Sequence, residues 1–130
     1  MDALIHVLCR DTPAQVRELL RNCIENKGLR IFAEFEQDRY AAEAGLALRP
    51  STVLAFGNPA VGTLLMQLAP SIALDLPLKL LIWEDDQNRC RLTYRNMRNI
   101  ARTHGLPLEH PIVNKLATLL EELGRKVAQQ

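Results

Sequence analysis

The sequence predicts an α+β two-layer sandwich: a five-stranded mixed sheet with helices mainly on one face, in the order β-α-β-α-β-α-β-β-α-α. Three observations carry this. Short apolar or alternating runs of strand length take turns with stretches whose apolar residues recur at three- and four-residue spacing. Only the last two strands are close enough for a hairpin, so helices fill the other connections. The chain has 130 residues, 48% hydrophobic and 24% charged, enough for one core without disulfide or metal staples.

The first strand is Ala3 to Cys9, with Ile5, Val7 and Cys9 on one face. Thr12, Pro13 and Gln15 are the cap, first-position proline and capping-box glutamine of a helix. Val16, Leu19, Leu20, Cys23 and Ile24 form its buried stripe, Arg17, Glu18, Arg21 and Glu25 face water, and Gly28 ends it. Leu29 to Glu36 alternates, setting Leu29, Ile31, Ala33 and Phe35 against Arg30, Phe32, Glu34 and Glu36. Asp38 to Ala44 reads as a short helix closed by Gly45. The third strand, Thr52 to Phe56, turns through Gly57-Asn58-Pro59 into a helix over Ala60 to Ala69, which Pro70 stops.

Ser71 to Pro77 reads as irregular, with Ile72, Leu74 and Leu76 buried around Asp75. Leu78 to Trp83 is the fourth strand, Asp85 to Asn88 a polar hairpin, and Arg89 to Tyr94 the fifth strand. That strand exposes Arg89, Arg91 and Thr93 and buries Cys90, Leu92 and Tyr94. Asn96 to His104 is a modest helix ended by Gly105, and residues 111–128 hold a final amphipathic helix. No repeat or linker divides the chain, so residues 1–130 read as one domain.

Bulk properties exclude several function classes. Net charge is +1 and aromatic content 5%, so neither a global field nor a stacking surface points to nucleic acid. No apolar run approaches the ~20 residues of a membrane helix, and the N-terminus lacks a signal-peptide pattern; the expectation is a cytoplasmic protein without membrane contact. Cys9, Cys23 and Cys90 contain no C-x-x-C pair and read as buried thiols. His6, His104 and His110 have no metal-ligand spacing, so neither a metal nor a cofactor is expected. Ser51 and Ser71 sit in no nucleophile elbow. The turn carboxylates Glu84, Asp85 and Asp86 read as a solvated hairpin tip. Arg89, Arg91, Arg95, Arg98 and Arg102 read either as a phosphate-binding patch or as an ion-paired surface.

Two loops carry the remaining chemistry. Gly57-Asn58-Pro59 combines a permissive glycine with a helix N-terminus, a generic anion site, unless Asn58 simply caps the helix. One glycine there, with no Gly-x-Gly-x-x-Gly or P-loop pattern, argues against a nucleotide. Asp75 lies among Leu74, Leu76 and Pro77, where a carboxylate needs a partner. It reads as a general acid or base, a cation binder, or a structural acceptor of backbone N–H groups.

The motifs Ala44-Gly45-Leu46, Leu48-Arg49-Pro50, Phe56-Gly57-Asn58-Pro59, Gly62-Thr63, Leu74-Asp75-Leu76-Pro77-Leu78-Lys79 and Trp83-Glu84-Asp85 occur in this order. Over about residues 5–106 the chain thereby resembles the domain-of-unknown-function family numbered 302. The resemblance implies a small bacterial or archaeal α+β domain that tends to form homodimers and has no established activity. The helix over 111–128 is then an extension packing on the core or on a dimer. Many members have Asp-His where this chain has Glu36-Gln37, so a family role needing that histidine does not carry over to Gln37.

The expectation is therefore a homodimeric domain binding a small polar or anionic molecule, with Phe56, Gly57, Asn58, Gly62, Thr63 and Asp75 as ligand-binding candidates. The first alternative is an enzyme using Asp75 as acid or base with Tyr94 as proton donor. The second is a purely structural or interaction module.

Overall fold

The computed structural model describes residues 2–130, and its elements follow the expected order. They are β1 (Leu4–Leu8), α1 (Pro13–Asn26), β2 (Arg30–Glu36), α2 (Gln37–Glu43), β3 (Ser51–Gly57), α3 (Pro59–Leu68), a 3-10 turn (Pro70–Asp75), β4 (Leu78–Glu84), β5 (Cys90–Arg95), α4 (Met97–Thr103) and α5 (Pro111–Val127). Element ends lie within about two residues of those read from periodicity, the usual uncertainty of a frayed end.

The sheet runs β1-β5-β4-β3-β2, and every neighbouring pair is antiparallel. The expected mixed sheet is thus corrected. The connections holding α2 and α3 join adjacent strands that run oppositely, so each works as a long hairpin link. α1 instead carries the chain from one sheet edge to the other. Spacing in the sequence shows that a helix intervenes, not whether the next strand reverses.

One sheet face is the core face. Ile5 opposes Tyr94, Val7 and Ile82 both oppose Leu92, and Leu54 and Phe56 oppose Leu80 and Leu78. Against them pack Val16, Leu20 and Ile24 of α1, Leu65 of α3, Met97 and Ile100 of α4, and Val113, Leu120 and Leu123 of α5. The Thr12–Gln15 capping box forms as read: Thr12 Oγ1 accepts from the Gln15 amide, and Gln15 Oε1 accepts from the Thr12 amide. Gly28, at φ +73°, closes α1 in the left-handed region.

β2 departs from its alternation. A register shift between Ile31 and Ala33 inserts Phe32 as an extra residue, a bulge. Beyond it Glu34 opposes Leu54 and Glu36 opposes Thr52, so the two glutamates turn to the helix side. Arg21 and Arg17 of α1 meet them at 2.6 and 3.0 Å, half-buried rather than facing water. Ala33 and Phe35 are left on the opposite face.

That opposite face has no helix of the core cluster upon it. Leu4, Leu8, Phe35, Val53, Leu81 and Trp83 lie outside the buried cluster. Thr93, expected to be exposed, is 6% exposed because Trp83 Nε1 donates to its hydroxyl at 2.9 Å and His6 Nδ1 lies 2.8 Å away. Beyond α5 the chain returns to the free edge of β1, where the Arg10 amide donates to Val127 O and the Gln129 amide to Leu8 O.

Candidate functional site

The Phe56-Gly57-Asn58-Pro59 corner and the Leu76-Pro77-Leu78 entry to β4 meet. A cavity of about 350 Å³ opens between them, lined by Phe56, Gly57, Asn58, Gly62 and Thr63 on one side and Leu76 and Pro77 on the other. Phe32, Pro59, Val61, Met66, Leu78 and Leu116 complete it, so the wall is mainly apolar. The meeting follows from register: Phe56 opposes Leu78 across β3 and β4, which places the start of α3 next to the segment entering β4. The β2 bulge supplies Phe32, whose ring approaches the Gly57 position and carries the Arg30 guanidinium 5.1 Å from its centroid.

The corner is not a free anion cradle. Asn58 Oδ1 accepts from the amides of Ala60 at 2.9 Å and Val61 at 3.4 Å, and Asn58 O accepts from the Gly62 amide. These are the first donors of α3, and the cap consumes them. Cationic charge stands instead on the far side of the corner. A second hollow of about 550 Å³ shares Gly57, Asn58, Val61 and Leu116 with the first and is walled by Lys27, Asn114, Lys115 and Glu122. Lys27 is paired with Glu122 at 2.9 Å, holding the Glu122 carboxyl below its ordinary range, whereas Lys115 has no carboxylate partner among the described residues.

Asp75 lies outside the cavity wall. Its Oδ2 is 2.5 Å from His104 Nε2, and His104 Nδ1 is 2.7 Å from Ser71 Oγ. Leu74 is 83% exposed rather than buried, because the segment winds as a 3-10 turn that sinks Ile72 and throws Leu74 outward. Tyr94 is buried under α5 near Gly124, joining neither the cavity wall nor the hydrogen bonds of Asp75. Burial, then the nearby Glu121, pushes its phenol up, making it a poorer proton donor. Sequence reasoning missed His104 and Ser71 as partners of Asp75. Ser71 and Asp75 share one turn, but nothing in the sequence ties them to a histidine 33 and 29 residues farther on, respectively.

Asp85 is no solvated tip. It is 7% exposed and accepts from the amides of Arg89 and Gln87 and from Arg91 Nε at 2.8 Å. The Arg89 amide first, then the Arg91 guanidinium, hold its carboxyl far below the usual range. Arg89 and Arg91 are thereby committed to the turn, while Arg98 donates to Asn114. Cys9 and Cys90 continue the β1–β5 register as opposed residues, with the Cys9 amide donating to Cys90 O. The neighbouring Cys90 thiol lowers the Cys9 thiol, and the same contact with burial raises that of Cys90. Among the described residues no group of three or more His, Cys, Asp or Glu side chains is placed to hold a metal ion.

A family model described as "Domain of unknown function DUF302" matches residues 5–123. The chain belongs to the DUF302 family. The match runs past residue 106 into α5, so most of that helix lies within the DUF302 domain. A structure titled "Crystal structure of uncharacterized conserved protein DUF302 from Bacillus stearothermophilus" shares the fold at TM-score 0.76, covering 97% of this chain and 95% of that one at 15% identity. Among curated proteins, the "Fluoride-specific ion channel FluC 1" of Brucella suis biovar 1 is 35% identical over 112 residues, 86% of this chain. The protein of the same name from Brucella abortus biovar 1 matches at equal identity. The chain spans only 44% and 42% of these two relatives. No helix among the described residues of this DUF302 chain is long and apolar enough to cross a membrane.

Proposed function

We propose that this DUF302 chain is a cytoplasmic homodimeric domain that binds a small amphipathic anion between the Phe-Gly-Asn-Pro corner and the Leu-Pro entry to β4. The observation that carries this reading is the 350 Å³ cavity at the meeting of two sequence motifs, in the size range of small-molecule sites. Its apolar wall suits a hydrocarbon or aromatic body. The adjoining hollow offers Lys115 to an anionic end. Fluoride conduction belongs to the names of relatives of which this chain spans less than half, and we assign ligand binding to the shared stretch.

Octanoate and anilinonaphthalene sulfonate are the probes, read by thermal unfolding. At ~100 Kd of ligand, linkage adds about 2.7 kcal/mol, which raises Tm by roughly 5–10 °C. A Cβ at Gly62 would stand 3.7 Å from Met66 and 3.8 Å from Leu76, both cavity residues, with ordinary contacts. Gly62→Leu therefore fills the cavity and abolishes the shift while the unliganded protein still melts cooperatively. A Tm rise that survives this variant removes the cavity from consideration. A rise with sodium fluoride alone would favour a fluoride site.

A further inference from the structure

Ser71, His104 and Asp75 make a hydrogen-bonded line where the 3-10 turn meets the end of α4, independent of the cavity. An ionised carboxylate can only accept, so His104 Nε2 carries a proton and donates to Asp75 Oδ2. That tautomer leaves Nδ1 with a lone pair, which accepts the Ser71 hydroxyl proton at 2.7 Å. The base in the middle is the most shielded of the three. The His104 side chain is 6% exposed and that of Asp75 21%, whereas Ser71 lies at the surface. A hydroxyl open to solvent, a shielded base within hydrogen-bond reach, and a third group orienting that base are the parts of an activated serine nucleophile. The roles depend on which nitrogen carries the proton, not on its label, so serine facing Nδ1 serves as well as serine facing Nε2.

We propose that Ser71 is an acyl-accepting nucleophile in the hydrolysis of small carboxylic esters, with His104 as its general base and Asp75 as positioning residue. Ser71 Oγ bonds to the ester carbonyl carbon while its proton passes to His104 Nδ1. The carbon–alkoxy bond breaks, and the alcohol leaves with that proton. Water then gives a proton to the same nitrogen and attacks the acyl-serine. The carboxylic acid departs and the Ser71 hydroxyl is restored. Asp75 remains a carboxylate throughout and stabilises the imidazolium.

Leu74 indicates the substrate side. In a 3-10 helix residues i and i+3 eclipse, so Leu74 shares the face of Ser71, and it is 83% exposed. Leu68, at the end of α3 just before this turn, is 58% exposed. Such a surface receives an apolar acyl chain better than a charged one.

The test uses the full chain with p-nitrophenyl butyrate, following nitrophenol release and mapping the acyl adduct by mass spectrometry. The adduct is expected on Ser71, and Ser71→Ala abolishes it and returns hydrolysis to the uncatalysed background. Asp75→Asn lowers kcat by roughly 10²-fold with KM unchanged, because an amide no longer fixes the Nε2–H tautomer. A lost structural tie would not by itself produce that kcat-against-KM split. An adduct on another residue, hydrolysis unaffected by Ser71→Ala, or kcat retained in Asp75→Asn overturns the assignment. Since Asp75→Asn loosens a contact between two elements, the exposed Ser71→Ala decides the question independently of folding.

Discussion

Asp85 shows how one side chain can organise a turn. Its two oxygens gather two backbone amides and two arginine Nε groups while the residue is nearly closed to water. The carboxyl is therefore held in its charged form in the folded state, below its unfolded value of about 3.9. A depressed carboxyl contributes stability in full above the unfolded pKa and loses it as pH falls toward the folded one. Asp85→Asn is thus expected to melt below the wild type at pH 6, with the gap narrowing steadily below about pH 4. Thermal unfolding followed from pH 6 to pH 2 measures this, and a gap independent of pH would show that charge at Asp85 is not what holds the turn. The residue was visible in the sequence as a turn aspartate. Its burial was not, because that depends on Arg89, just before β5, and Arg91, within it, folding back onto the carboxylate.

Element type was legible wherever one periodicity ruled from end to end. The α1 capping box, the α5 stripe and the helix-stopping Gly28 were readable because all their partners lie within a few residues. β2 was not, since its alternation holds on paper from Leu29 to Phe35 while the bulge at Phe32 reverses the second half. The reversal brings Glu34 and Glu36 to Arg21 and Arg17, a gain made only after α1 has docked. The same limit applies to the site: the corner and the Leu-Pro segment were separately legible, but their meeting depends on β3–β4 register. For α3 the decisive element-scale test is Asn58→Ala. Removing Oδ1 leaves the amides of Ala60 and Val61 without their cap, a cost of about 1 kcal/mol. Urea denaturation should show that loss with an unchanged m-value. A loss near zero would mean the helix start is held by the Leu76-Pro77 contact instead.

At the scale of the whole molecule the sheet is unevenly covered. α1, α3, α4 and α5 bury one face, while the other presents Phe35 at 39% and Leu4 at 48% exposure, with Val53, Leu81 and Trp83 half-buried between the edges. A soluble monomer rarely leaves a large contiguous apolar patch open, so a partner surface is the economical account of this face. The homodimer proposed above would take this face as its contact surface. A standard interface takes about 800 Å² from each partner. Light scattering after size exclusion should then give twice the chain mass. In a two-fold pair each substitution is met twice, so one charge at Phe35 or Val53 buries two uncompensated carboxylates in the contact. Phe35→Asp and Val53→Asp should each give monomers that retain the circular dichroism of the fold, because neither side chain belongs to the core. If both variants stay dimeric, this face is not the interface, and the exposed Tyr40, Leu46 and Leu48 around α2 become the surface to vary next.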